Sequence, residues 1–549
     1  MSQPMKQSTE IPEETVRVAQ ASFRKGTALM RLRDECGPLF KEEDFADLYS
    51  WKGNTGTSAV ILGTVTLLQY MEELTDRQAV LMVSSRIDWK YLLGVELTYS
   101  GFDQSVLSEF RSRLIEHEAA ERLFEKPLER LCELGLVKER GRQRSDSTQV
   151  LAAIRTLNRL ELAGETLRHA LNQLAIEGRG WLVSWVPAEW FDRYGSRIEE
   201  AKLPSQESER QQLVETIGQD GYQLLNAVLA PETPAFLKAL PAVRILWQVW
   251  VQQYEQVDGQ VRWRAAGNVP PGERMLNSPY DPAARFSRKR QTTWTGYKVH
   301  LTESCDDDLP HLITHVETTP ATEPDCQTLP KIHTALAQKA LLPAEHIVDG
   351  GYVDIDNVIT SRQDHSIDLL GPMRPDSSWQ ARQQTGYDIA HFVVEWQAEQ
   401  VTCPQGHTSH VWSSSTNKAG DTAITVRFHP QDCADCPARA LCTQAKAAPR
   451  SLHLQPTQEH HELLQLNRSA QHDPAFQDRY RIRAGIEGTI SQGVRALGLR
   501  RSRFIGDAKT ALQHLATAAA LNCLRLADWF QNHTRAQTRI SAFAELAPA

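Results

Sequence analysis

The stretch Asp478-Arg479-Tyr480-Arg481-Ile482-Arg483-Ala484-Gly485-Ile486-Glu487 sets a phenol, a guanidinium and a carboxylate at spacings of three and four. Residues so spaced share one face of an α-helix, so Tyr480, Arg483 and Glu487 are expected side by side. Alone, the pattern also fits a solvated helix with an i,i+4 ion pair. Two acids far upstream give it weight. Asp146 lies in Arg142-Gln-Arg-Ser-Asp-Ser-Thr148, after the apolar pair Leu136-Val137, which is too short to define a strand. Asp349 lies in Glu345-His-Ile-Val-Asp-Gly-Gly-Tyr352, where an apolar pair runs into an acid and two glycines. An acid at the carboxyl end of a strand stands where α/β sheets hold ligands, and its hard oxygens suit a divalent cation. Each acid singly also fits a turn or a helix cap. The three together carry more than any one.

On these residues the chain resembles the bacterial insertion-sequence transposases of the DDE type. Arg-Ser-Asp-Ser-Thr around Asp146 is similar to the first acid motif, and Val-Asp-Gly-Gly-Tyr around Asp349 to the second. Tyr480, Arg483 and Glu487 fit the Tyr-x2-Arg-x3-Glu part of the third. Family members often carry Lys seven residues after the Glu; here Val494 stands there with Arg495 next, and Arg binds phosphate well enough to substitute. The resemblance implies a mixed α/β fold with a ribonuclease H-like catalytic core. It also implies double-stranded DNA as partner, both the terminal inverted repeats and the target, and a homodimer on two DNA ends.

Composition sets outer bounds. The 549 residues are too many for one core and suggest several modules. No run of about 18 apolar residues appears, so no membrane span is expected. Met1–Glu14 lacks the apolar run of a secretory signal, and the resemblance implies a cytoplasmic, nucleoid-associated protein. The net charge of −8, from 60 basic and 68 acidic residues, disfavours coating DNA by bulk charge. Local basic clusters remain: Arg285, Arg288, Lys289, Arg290 and Lys298 around Trp294, and Arg495, Arg500, Arg501 and Arg503. Beside the acids, Arg288, Lys289, Arg290, Lys298 and Arg495 are candidate phosphate contacts together with Tyr480 and Arg483.

The order of patterns divides the chain. Residues 1–45 read as a polar segment and 46–135 as a helical domain, which by resemblance binds the terminal repeats. The catalytic core is expected from 136–149, 275–372 and 471–530. A helical insert fills 150–274, where Trp181, Trp185 and Trp190 read as core packing. A cysteine-rich insert fills 373–470, and 531–549 reads as a loose tail. Period-two runs at 297–301 and 312–316 predict strands. A helix near 329–340, a strand at 346–349, a helix at 353–363, a strand at 367–370 and a helix at 508–529 follow. The strand near Asp146 is the least marked of these.

Cys403-Pro-Gln-Gly-His407 and Cys433-Ala-Asp-Cys436, with Cys442 six residues on, give soft ligands in a zinc-ribbon-like spacing. The set Cys403, Cys433, Cys436 and Cys442 would hold a structural Zn2+ with no open position, His407 competing as the fourth ligand. Nine cysteines, an odd number in a long chain without an export signal, argue for thiols rather than disulfides.

Three carboxylates suit two-metal phosphoryl transfer with Mg2+ or Mn2+. Asp146, Asp349 and Glu487 are the expected metal ligands and catalytic residues of DNA strand cleavage and strand transfer. A transposase-derived DNA-binding protein without catalysis, or a metal-dependent nuclease on the same fold, are the alternatives.

Overall fold

The computed structural model describes residues 10–50, 56–416, 420 and 422–531. The tail from 532 lies outside the described residues.

The chain is a mixed α/β protein built on one six-stranded sheet. Its strands are β1 (Arg140–Leu151), β2 (Arg285–Lys289), β3 (Thr292–Ser304), β4 (Ile313–Pro320), β5 (Pro343–Val348) and β6 (Asp368–Leu370). The order is β2-β3-β1-β5-β6, with β4 also pairing β3. β3 lies antiparallel to β1, β2 and β4, whereas β1–β5 and β5–β6 are parallel. Helix α2 (Asp325–Gln338) leads from β4 into β5, and α3 (Ile355–His365) is the crossover that joins the parallel neighbours β5 and β6. β3 serves two partners on one side, β2 along Thr292–Gly296 and β4 along Tyr297–Glu303. Gly296 sits at the change-over, where a Cβ would lie 2.2 Å from the Val150 carbonyl oxygen, a clash only glycine avoids.

β1 bears out the strand expected near Asp146. It runs twelve residues through Asp146, although its composition is almost wholly polar. Paired on both sides, it gains its backbone hydrogen bonds from β3 and β5. Its buried polar side chains find partners as well. Ser145 Oγ lies 2.6 Å from Thr302 Oγ1 and 2.7 Å from His346 Nε2. Gln143 donates to the Leu341 carbonyl at 2.8 Å and accepts from Thr314. Buried polar groups are tolerated on these terms.

Helix α5 (Asp507–Trp529) packs on β4 on one side and on α1 (Ala59–Met71) on the other. It is buried nearly all round, and its Leu512, Leu515, Ala519 and Leu521 join one continuous core with Leu62, Val65 and Leu68 of α1 and Ile313 of β4. The N-terminal helices therefore share the core of the sheet. The segment before residue 46 shares it too: Ala28–Cys36 is helical, and Leu29, Leu32, Phe40 and Phe45 are buried there. Within residues 10–45 a polar composition thus goes with helix and buried core.

The insert after β1 has its own core. Helices Arg159–Glu177, Glu207–Leu229 and Pro241–Gln253 enclose Leu167, Leu224, Leu246 and Trp250. Trp181, Trp185 and Trp190 pack edge to face at 5.4 and 5.8 Å, as core residues. A hairpin, Tyr254–Val257 with Gln260–Trp263, closes it. The cysteine-rich insert is a separate small unit around the three-stranded sheet of Ser409–Thr416, Thr422–Phe428 and Ser451–Leu454.

Candidate active site

The sheet brings Asp146 and Asp349 together by register alone. Ser145 on β1 pairs in parallel with Val348, the last residue of β5, so the next residue on each strand is one of the acids. Asp349 leaves β5 into Gly350-Gly351, and its Oδ1 accepts the Gly351 amide at 2.8 Å. Asp146 Oδ1 accepts the Ser147 amide at 2.8 Å. Burial pushes the Asp146 carboxyl up to about 6; Arg483 opposes this and Asp349 adds to it.

The Tyr480–Glu487 stretch is not one regular helix. A helix over Pro474–Arg481 passes through a 3-10 turn at Ile482–Ala484 into α4 (Gly485–Ala496). Arg144 on β1 causes the tightening. Its Nη1 donates to the Ile482 carbonyl at 2.5 Å, and a Cβ at position 485 would lie 2.0 Å from that nitrogen. Gly485 leaves room for the guanidinium. Arg144 is fixed in turn by Glu303, fully buried on β3, at 2.7 Å. Glu303 also accepts from Arg525 at 2.6 Å and Thr489 at 2.5 Å. Burial alone would raise the Glu303 carboxyl, but Arg525, Arg144 and Thr489 hold it below its usual range. This charged clamp ties α4 and α5 to the sheet. Sequence reading missed it, although Arg144 and Asp146 stand at strand period two.

The clamp delivers Arg483 to the acids. Its Nη2 lies 2.5 Å from Asp146 Oδ2 and 3.8 Å from Asp349 Oδ2, and its Nη1 lies 2.5 Å from Glu487 Oε1. One guanidinium thus touches all three carboxylates. Its Nε is buried and has no hydrogen-bond partner. Glu487 is the exposed member, 63% open against 11% for Asp146. Among the described residues no three His, Cys, Asp or Glu side chains stand close enough to hold a metal ion. Asp146, Asp349 and Glu487 therefore meet through Arg483 rather than around a common centre.

Tyr480 faces inward more than expected. It stacks on Phe476 at 5.9 Å and packs with Cys305, Ile347 and Leu370 below the acids, and burial raises its phenol. Of the basic candidates, Arg288, Lys289 and Arg290 are exposed at the β2–β3 hairpin, and the Lys289 charge reaches Asp146. Arg495 is exposed near the end of α4. Arg500 donates to Thr148 on β1 at 2.8 Å, two residues past Asp146. Lys298 is placed otherwise: it is mostly buried and paired with Asp325 at 2.6 Å, so it is not a surface phosphate contact. Asp325, absent from the sequence reading, stands at the start of α2 beside the two acids.

Cys403, Cys433, Cys436, Cys442 and His407 line one cavity with Phe392 and Arg450. The turn Cys403-Pro-Gln-Gly406 closes with the Gly406 amide on the Cys403 carbonyl at 2.9 Å. All nine cysteines are free thiols. The sequence pattern thus gathers these five residues, but they do not converge on one point. Among the described residues, no helix is long and apolar enough to cross a membrane.

No curated protein matches this chain. Residues 402–527 match a family model described as a transposase DDE domain, a span that holds the cysteine cavity, Arg483, Glu487 and α5. Residues 19–113 match a second model, described as a transposase domain (DUF772), which covers most of the helices packed on α5. With both matches on one chain, the family models support an insertion-sequence DDE transposase.

Proposed function

We propose that the protein cleaves DNA at insertion-sequence ends and transfers the cut strand to target DNA, with Asp146, Asp349 and Glu487 as the metal-binding, catalytic carboxylates. The observation that carries this reading is the parallel β1–β5 register, which puts Asp146 and Asp349 side by side on the two central strands with Arg483 and Glu487 across them. The sheet order, with two antiparallel and two parallel steps around β1 and β5, supports a ribonuclease H-like core.

The residues fit divalent ions by donor chemistry. Three carboxylates are hard oxygen ligands suited to Mg2+ or Mn2+, and they already gather around one positive charge, that of Arg483. Bound there, such ions supply Lewis acidity for a water or a DNA 3′-hydroxyl and for the leaving 3′-oxygen. The chain itself orients the phosphate. Arg483 holds its guanidinium among the three acids, where it would meet the phosphate brought to them. Arg288, Lys289, Arg290 and Arg495 extend the positive surface, and Tyr480 borders it. Assembly as a homodimer would present two such sites to two ends, in the cytoplasm where the DNA lies.

In the cysteine-rich insert the donors are the soft thiolates that suit structural Zn2+, with Cys403, Cys433, Cys436 and Cys442 as the set and His407 as alternative.

The test uses a supercoiled plasmid carrying the element's ends. The protein is expected to nick it at the ends in Mg2+ and to join those ends to a second plasmid, while Asp349→Asn binds the ends and does neither. Wild-type rates of cutting by Asp349→Asn would remove Asp349 from the reaction, and cutting without joining would indicate a nuclease.

A further inference from the structure

Asp325 and Lys298 belong to neither the acid triad nor the phosphate surface. Asp325 opens α2 immediately after Pro324, and Lys298 Nζ donates both to its Oδ1, at 2.6 Å, and to the Glu323 carbonyl. Both side chains are largely buried, 12% and 14% exposed. A pair buried this far gives little net stability, because the desolvation of both charges offsets their attraction. Its position is more telling than its strength.

Asp325 touches the backbone segments that carry both strand acids. Its Oδ2 accepts from the Ser147 hydroxyl at 3.3 Å, and Ser147 is the residue whose amide holds Asp146. On the other side, a Cβ built on Gly351 would lie 3.1 Å from Asp325 Oδ2 and 2.9 Å from Asp349 Oδ1. One methyl group there would touch both carboxylates. Gly351 is also the residue whose amide holds Asp349. The buried Tyr352 phenol, already raised by burial, is raised further by Asp325, Asp146 and Asp349 together. Three carboxylates therefore crowd one end of the sheet, with Lys298 as the near countercharge.

We propose that Asp325, held by Lys298, is a fourth acid of this site, a positioning residue that sets Asp146 and Asp349 for divalent-cation binding. This rests on the function proposed above. Direct ligation is not implied, since these acids do not converge as a ligand set. An acceptor outside the ligand shell that orients the ligands is the role such a group takes in metal sites generally. Gly351 is part of the same arrangement, because any side chain there would drive Asp325 and Asp349 apart.

The test titrates Mn2+ into the full-length protein, followed by electron paramagnetic resonance, alongside thermal melting and binding to DNA. Asp325→Asn should bind Mn2+ about tenfold more weakly or worse, a loss typical of outer-shell partners. Its DNA affinity should stay within about twofold, since the group faces the acids and not the basic surface. In the exchange variant Asp325→Lys/Lys298→Asp, thermal stability should recover while Mn2+ affinity does not. Wild-type Mn2+ affinity in Asp325→Asn, or recovery of both properties in the exchange variant, would overturn the proposal. If Asp349→Asn also binds Mn2+ unchanged, it is the reading of the whole site that falls, and this inference with it.

Discussion

The acid site and the cysteine cavity contrast in what holds them. Asp146 and Asp349 are placed by a sheet backed by the largest core in the chain, and their neighbourhood is fixed by the buried Arg144–Glu303–Arg525 clamp. The cysteines stand on a unit whose core, among the described residues, has seven buried hydrophobic side chains, and its thiols are part-exposed. A core that small is marginal without a cross-link or a metal. The first site is therefore expected to be shaped by folding before any ion binds, the second to depend on its ion for shape.

The largest effect should come at the acid site without loss of fold. Asp146→Asn is expected to lower strand cleavage about 10⁴-fold, about 5 kcal/mol of barrier. Circular dichroism and melting should stay near wild type, because the amide keeps the size of the group. A parallel loss of fold would make Asp146 structural and erase the contrast.

Breaking the clamp should cost the fold itself. Arg144→Met leaves the buried Glu303 with Arg525 and Thr489 but one cation fewer, and removes the bond to the Ile482 carbonyl. The expected loss is about 3–5 kcal/mol, read by urea denaturation. Protease resistance of the cysteine-rich insert should not change, and a coupled loss there would deny that the two units are independent.

Acid should also act on the sheet. His300 and His333 are buried with protonation held down to about 4 by burial, His514 to about 3, and His346 lies well below its usual range. An unfolded histidine takes up its proton near 6.5. Between those values the unfolded chain binds more protons, so stability is full above about pH 6.5 and falls as pH drops toward 4. The slope is at most about 1.4 kcal/mol per pH unit for each histidine. Denaturation midpoints at pH 7, 6 and 5 measure it, and a flat profile would mean that these side chains are hydrated.

Smaller effects sharpen the other half. Cys436→Ser should reduce bound zinc, by elemental analysis, to near zero, and should speed proteolysis within 373–470 by about tenfold with cleavage activity retained. Unchanged metal content would refute the zinc assignment. Smallest of all, Arg495→Ala should weaken DNA binding by about 1 kcal/mol and reduce the salt slope by about one.

Legibility followed physics rather than importance. Helix α5 was readable because its apolar residues repeat at helical spacing, and β5 because Ile347-Val348 runs into an acid and two glycines. β2, short and basic, left no such mark, and β1 left hardly any, since its buried side chains are glutamine, arginine, serine, aspartate and threonine, with Val150 the apolar exception. A strand paired on both sides needs neither alternation nor apolar content if its polar groups find partners, and those partners, Thr302, His346 and Thr314, lie 150 residues or more away. The Tyr480–Glu487 face was right in outline and wrong in regularity, because the 3-10 turn is made by Arg144, remote in sequence.

The sequence by itself determined which chemical groups are available: three acids in recognisable settings, a guanidinium one helical turn from a carboxylate, and thiols at ligand spacing. Local spacing encodes these because helix and strand periods act over a few residues. Only the tertiary structure decided that Arg483 bridges all three acids, that Lys298 pairs with Asp325, and that Asp325 stands beside Asp349. Those outcomes depend on strand register and on buried charges finding partners, and both are settled only when distant segments share one core.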